Sequence, residues 1–405
     1  MSTELTRRAG VAFLLSIAFA VATTGIPVGF SAANAEVGAT PLAEAKAEYQ
    51  RKLAEYDAAQ QSFEVAAQQY WGSVSGKRQI RDAKRRNGET IVVDDYVLAQ
   101  PPAYTGPPKP IDPAPEPEQI PPVTRAPVPV VADFLKNALE QFGFEPKRPR
   151  SEIEFKKAYA RAASAAGLSG LQVVRVYAFE SGGNGKYDVQ AGLEFDRPNA
   201  HAISTALGYN QLLGTNSVEL MAEKGDNFLA ALKTRAAALN RHDRRALEEK
   251  IVIVRRMIEF TRSVPDDWGE HDRLATMPQG LGVHAMNLDV DVGPLLQTQK
   301  LLDSVVFARR KGLSRELSAS ELEMMNLTGD GNGFDMISMP IEMREQVPTS
   351  NFFQRNGYER NPVAIRHNTV ARLLVATDSK MDVESMLQGA KDLAAAFQDA
   401  RPGKL

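Results

Sequence analysis

Half of the chain's 24 prolines fall within residues 101–129. That density excludes a regular helix or strand there, because each ring removes a backbone donor and disfavours a helical residue before it. An extended, semi-rigid spacer is expected. The 405-residue chain therefore divides into an N-terminal segment (36–100), a linker (101–130) and a C-terminal domain (131–405). A hydrophobic content of 43% is ordinary for a globular protein, and a chain of this length can build a core without disulfides. None can form, since there is no cysteine. Thiol nucleophiles and Cys-ligated metals are excluded with them. The five histidines are scattered without ligand spacing, and a net charge of −2 gives no case for nucleic-acid binding. No cofactor is implied.

Before the first segment, Arg7-Arg8 precede an apolar run over 11–22, and Ala33-Asn34-Ala35 offers a small-x-small cleavage site. This reads as a signal peptide (1–35), with the mature chain starting near Glu36. An uncleaved anchor is the alternative, although the run is short for a span. No second stretch reaches spanning length.

Leu42, Tyr49, Tyr56, Phe63 and Tyr70 recur every seven residues through 41–71, a long helix with a coiled-coil-like seam. The seam suits either a homo-oligomer or envelope-protein contact, or a helix folding back on 77–86, and the second is the plainer expectation. Arg78, Arg81 and Arg85 then share one helical face. A basic face of this kind is expected to be solvated, with anionic lipid or acidic peptides as the other reading.

Beyond the linker the pattern is mainly helical, with segments over 133–142, 151–166, 217–224, 226–239, 243–261, 295–310, 318–325 and 383–399. Ser151 and Glu154 form a capping box. The most informative stretch is 171–179, almost wholly apolar and ending in Glu180-Ser181-Gly182-Gly183. It suits a buried helix stopped by glycine, with a buried strand left open by Val173, Val174 and Val176. On the helical reading Glu180 lies in the last turn against an apolar interior, so its pKa should rise. That is what a general acid for a glycosidic oxygen requires.

Glu180-Ser181-Gly182, followed by Ser204-Thr205-Ala206-Leu207-Gly208-Tyr209-Asn210-Gln211-Leu212, resembles two motifs of the lytic transglycosylase domain of the goose-type-lysozyme-like superfamily. Glu180, Ser181, Gly208, Gln211 and Leu212 keep the family residue. Tyr209 and Asn210 replace its usual Leu-Met pair, and Glu180 and Gly208 stand 28 positions apart, a longer spacing than the family's that would make 184–199 an enlarged loop over the cleft. The likeness covers about 150–225. It implies a lysozyme-like helical domain in a periplasmic protein that acts on peptidoglycan. One glutamic acid, here Glu180, would protonate the leaving oxygen. As carboxylate it would then take a proton from the muramic hydroxymethyl group, closing an anhydro ring without water. Ser181, Gly208, Tyr209, Asn210 and Gln211 would line or support the substrate site. Tyr358 could be the family's later tyrosine, and Met286-Asn287 could stand for its Tyr-Asn motif.

Three alternatives remain at this level. Glu194 or Asp196 could serve a hydrolytic, water-using mechanism. Glu180 could instead be structural, bridged to Arg175 or Arg197, in a non-catalytic envelope protein that binds glycan or assembles through its N-terminal helix. Asp330, Asn332 and Asp335, in a glycine-rich stretch, resemble part of a calcium loop, or else an Asx-rich turn.

Overall fold

The computed structural model describes residues 39–114, 127–193 and 200–400. Of these, 69% are helical and none forms a strand, as the sequence pattern predicts. The expected signal segment lies outside the described residues. The α-helices are α1 (Ala39–Asn87), α2 (Val131–Phe142), α3 (Glu152–Ala165), α4 (Gly170–Ser181), α5 (Gly214–Ala237), α6 (Arg241–Thr261), α7 (Trp268–Ala275) and α8 (Pro278–His284). After them come α9 (Gly293–Arg310), α10 (Ala319–Thr328), α11 (Asp330–Ser338), α12 (Ile341–Gln346), α13 (Arg355–Glu359), α14 (Pro362–Arg366), α15 (Val370–Ser385) and α16 (Gln388–Asp399). Among the described residues, no helix is long and apolar enough to cross a membrane.

The chain forms two compact units. One holds the described residues of Leu14–Arg125 and Ile341–Val370, the other those of Ala126–Pro340 and Ala371–Leu405. This departs from a single domain over 131–405, because 341–370 groups with α1. The side chains give the reason. Trp71 of α1 meets the Tyr358 ring edge-on at 5.6 Å, and Asn351 exchanges hydrogen bonds with both backbone groups of Val97.

In that first unit α1 is one continuous helix of 49 residues, roughly 70 Å long at the α-helical rise. It runs through Gly72 and Gly76 rather than turning back at 77–86, so the expected helical hairpin does not form. An extended segment covers its seam instead. Tyr104 packs edge-on against Tyr56 and Phe63, and Gly106 comes so close to Ala59 that a Cβ would sit 2.8 Å from the alanine methyl. Part of the proline-rich stretch is therefore a strap on α1, held by aromatic packing. The arginine face is buried at Arg81 and half-buried at Arg78 and Arg85 rather than solvated. Arg81 is fully buried, with its guanidinium 4.3 Å from the Tyr96 ring centre, and it donates to the Asp95 and Asn351 carbonyls. Arg78 donates to the Asn351 and Phe353 carbonyls, and burial with two neighbouring arginines lowers its pKa to about 10. These charges find carbonyl acceptors within their own unit, which is why they can leave water.

The second unit is built around α4, which packs on α3, α10 and α16. Its strand alternative is overruled: Val173, Val176, Tyr177 and Ala178 are fully buried on a helix. Ser169 starts it, accepting from the Gln172 amide while the Gln172 side chain accepts from the Ser169 N–H. Ser169→Ala removes that reciprocal cap and is expected to lower stability by about 1 kcal/mol, read as a lower urea midpoint at unchanged slope. The segments predicted at 217–224 and 226–239 merge into α5, since Gly225 packs under Ile258 of α6 and sustains the helix. The segment predicted at 383–399 is interrupted at Met386 and Leu387, between α15 and α16.

Candidate active site

Glu180 occupies the last turn of α4. Gly182 caps the helix in the left-handed conformation (φ 64°), its N–H bonding back to the Ala178 carbonyl. Gly183 follows at φ 69°, where a Cβ would lie 2.3 Å from the Glu384 carbonyl oxygen. Only glycine fits there. An acid at this helix end faces the negative pole of the helix dipole, which favours its protonated form.

Glu180 as a residue is half-buried. Its Oε1 accepts from Asn326 Nδ2 at 2.6 Å. Glu323, one turn earlier on α10, is fully buried and within hydrogen-bonding reach of Glu180. Lys300 and Lys380 bear on the pair electrostatically, and Lys380 lies 4.1 Å from the Phe179 ring centre. No cation forms an ion pair with Glu180 among the described residues. Arg175, a candidate partner for Glu180 from the sequence, stands five residues before it and so on another side of α4; it pairs instead with Asp378 at 2.9 Å and with Asp382. Burial is the largest influence on Glu180 and raises its pKa from 4.5 to about 7, against the lowering effects of the Glu323 and Asn326 contacts and the two lysines. Glu323 is raised well above the ordinary value by burial and by the facing Glu180 carboxyl. Two carboxyls this close cannot both ionise readily.

Glu323 is not the opposed carboxylate of a two-acid glycosidase. Those groups stand about 5–5.5 Å apart in retaining and about 6.5–9.5 Å in inverting enzymes, with the sugar between them. Here the two carboxyls lie within hydrogen-bonding reach of each other, too close for a sugar to pass between them.

The other residues singled out by the motifs play different parts. Ser181 Oγ donates back to the Tyr177 carbonyl at 2.6 Å. Leu207 and Leu212 exchange backbone hydrogen bonds at 2.9 and 3.0 Å, enclosing Gly208, Tyr209, Asn210 and Gln211 in a tight loop. Gly208 (φ 81°) admits Gln297, whose Nε2 would be 2.7 Å from a Cβ there. Gln211 takes φ 44°, the only non-glycine in the left-handed region among the described residues, and its amide donates to the Gly208 carbonyl at 2.7 Å. Asn210 is buried, its amide bonding Tyr159 Oη and the Gln297 carbonyl. Tyr209 is fully buried; its hydroxyl reaches Glu152, and its ring meets Tyr177 of α4 edge-on at 4.7 Å. Sequence reasoning places Tyr209 and Asn210 along a cleft. In the structure they are interior supports of α4: the Tyr209 hydroxyl and the Asn210 side-chain N–H groups are met by α3 and α9, while the buried Asn210 Oδ1 has no partner among the described residues.

Asn287, the candidate third-motif residue, is likewise interior. Its amide donates to Ser217 Oγ at 2.8 Å, and Ser217 contacts His284 Nδ1 at 2.8 Å. His284 Nε2 lies 2.8 Å from the Thr205 carbonyl, and burial lowers this histidine's pKa to about 4. It stays neutral and ties the loop to α5 and α8. Tyr358 belongs to the other unit. Glu194, Asp196 and Arg197 lie outside the described residues. Asp330, Asn332 and Asp335 fall on α11 rather than in an open loop; Asn332 donates to the Thr328 carbonyl and Asp330 accepts from Ser304. Among the described residues, no group of three or more His, Cys, Asp or Glu could hold a metal ion. A hollow of about 350 Å³ borders Gln172, Arg309 and Arg315, but Gln172 lies about 12 Å along α4 from Glu180 at the helical rise.

Sequence reasoning misses Glu323, Asn326, Lys300 and Lys380. The available signal is Leu322-Glu323-Met324-Met325, an acid set inside an apolar run of a predicted helix. The chain matches no protein-family model, no curated protein and no solved structure.

Proposed function

We propose that this is a periplasmic protein that cleaves peptidoglycan glycan strands with Glu180 as its one acid and base. The supporting observation is Glu180 itself: a half-buried residue, in no ion pair among the described residues, and held protonated to about pH 7 by burial. In this reading Glu180 passes its proton to the glycosidic oxygen as the C–O bond breaks. The resulting carboxylate, steadied by the Asn326 amide, then removes the proton of the muramic hydroxymethyl group. The freed oxygen bonds to the anomeric carbon, and Glu180 is again protonated. Lys300 and Lys380 supply positive potential while the carboxylate exists. Water is not consumed.

A second reading, a non-catalytic glycan-binding or assembly protein, draws on the interior placement of Tyr209 and Asn210. Digestion of purified murein sacculi separates the two. The enzyme reading expects anhydro-muropeptides by mass spectrometry with the wild type and none with Glu180→Gln. Retention on sacculi without product, unchanged in Glu180→Gln, supports the binding reading.

A further inference from the structure

Glu323 is an acid placed where an acid should be costly. It is 0% exposed, and neither carboxyl oxygen accepts a hydrogen bond from any N–H or O–H of the described residues. The Asn326 amide, one turn along the same helix, gives an N–H to Glu180 Oε1; it also lies near enough to Glu323 to favour the ionised form, but burial outweighs it. An ionised carboxylate so enclosed would forfeit its hydration with little in return. The remaining way to satisfy Glu323 is to keep its proton and direct it at the neighbouring Glu180 carboxyl.

We propose that Glu323 is a positioning residue for Glu180: a permanently neutral carboxylic acid whose O–H donates to the Glu180 carboxyl and stabilises it when it ionises. The role rests on the reading of Glu180 as the acid and base of glycan cleavage. Burial alone would hold the Glu180 proton too tightly for the return step, and a donor from Glu323 lowers that affinity towards neutrality. Protons balance throughout. Glu180 loses one to the leaving oxygen and regains one from the substrate hydroxyl, while Glu323 keeps its own and only shares it. The charged groups facing the pair are Lys300 of α9 and Lys380 of α15, the latter also 3.8 Å from Glu384.

Two variants separate this role from simple packing. Glu323→Gln keeps a donor at the same place, whereas Glu323→Leu removes it and leaves a similar buried volume. Infrared difference spectra of the full chain, with carbon-13-labelled glutamate and Glu180→Gln to identify the Glu180 band, read both carboxyls directly. The wild type should retain a protonated carboxyl at pH 8 that is absent in Glu323→Gln. The Glu180 midpoint should rise by about one pH unit in Glu323→Leu and by less than half that in Glu323→Gln. On sacculi, the alkaline limb of the cleavage profile should move upward with it in Glu323→Leu. A Glu323 carboxyl that ionises together with the surface acids overturns the proposal, as do equal midpoints in the Leu and Gln variants. Wild type inactive on sacculi but with the expected spectra would instead sink the cleavage reading and leave the carboxyl pair intact.

Discussion

Lys250→Met is expected to destabilise the unit that carries Glu180 by about 3–5 kcal/mol, the usual loss when one partner of a buried ion pair is removed. Lys250 Nζ lies 2.9 and 2.7 Å from the two Asp289 oxygens and 2.5 Å from Asp291. Asp289 is fully buried and also accepts from the backbone N–H groups of Lys147, Asp291 and Val292. It thus pins the turn ahead of α9, the helix that presents Gln297 to the Gly208 loop. Burial already raises the Asp289 pKa, with Lys250 opposing. Without Lys250 the carboxyl must take up a proton to stay inside. The deficit should therefore shrink at low pH, where that proton is free to bind, and be largest at pH 8. Urea unfolding at pH 5 and pH 8 checks both statements. A loss under about 1 kcal/mol at pH 8, the scale of an exposed pair, would show that the network is dispensable.

Glu180→Gln carries the other large effect, and it acts on activity and stability in opposite directions. Removing the only acid is expected to lower cleavage by about 10²–10⁴-fold or more, the range for general acid–base catalysis. Stability should rise. The unfolded carboxyl releases its proton near 4.5 and the folded one near 7, so between those values the folded state holds more protons. Native stability then falls as pH rises through that window and stays lower above it. Gln cannot ionise, yet its amide oxygen can still accept from Asn326. Glu180→Gln should match the wild type near pH 4 and exceed it by roughly 2 kcal/mol at pH 8, measured as thermal midpoints across pH. A variant less stable at every pH would mean that the ionised form is the favoured one.

Local rules carry part of this fold. The cap at Ser151 is legible, and the stop at Gly182 and the apolar face over 171–179 place Glu180 correctly at a helix end, because each depends on neighbours within a turn. The heptad seam of α1 is legible as a seam, but its cover is not. Tyr104 arrives from a proline-rich stretch with no periodicity to announce it. Arg78 and Arg81 look solvated in the sequence because their acceptors are backbone carbonyls of Asn351 and Phe353, some 270 residues away, and carbonyls carry no side-chain signature. The carboxyl pair is invisible for a similar reason. Glu323 and Glu180 are far apart in the chain, and only the packing of α10 on α4 makes neighbours of them. Tyr209 and Asn210 are misplaced at a cleft because polar residues in a loop suggest solvent, whereas Tyr159, Glu152 and Gln297 accept hydrogen bonds from their hydroxyl and amide N–H groups in the interior.

The proton on Glu180 is best observed by carbon-13 NMR of the unliganded full-length protein, titrated from pH 3 to pH 9 with Glu180→Gln as the blank. A side-chain carboxyl resonance present only in the wild type, moving with a midpoint near 7, is the expected result. A midpoint at or below 4.5 would mean that the carboxyl is ionised at neutral pH, and Glu180 would then have no proton to give a glycosidic oxygen.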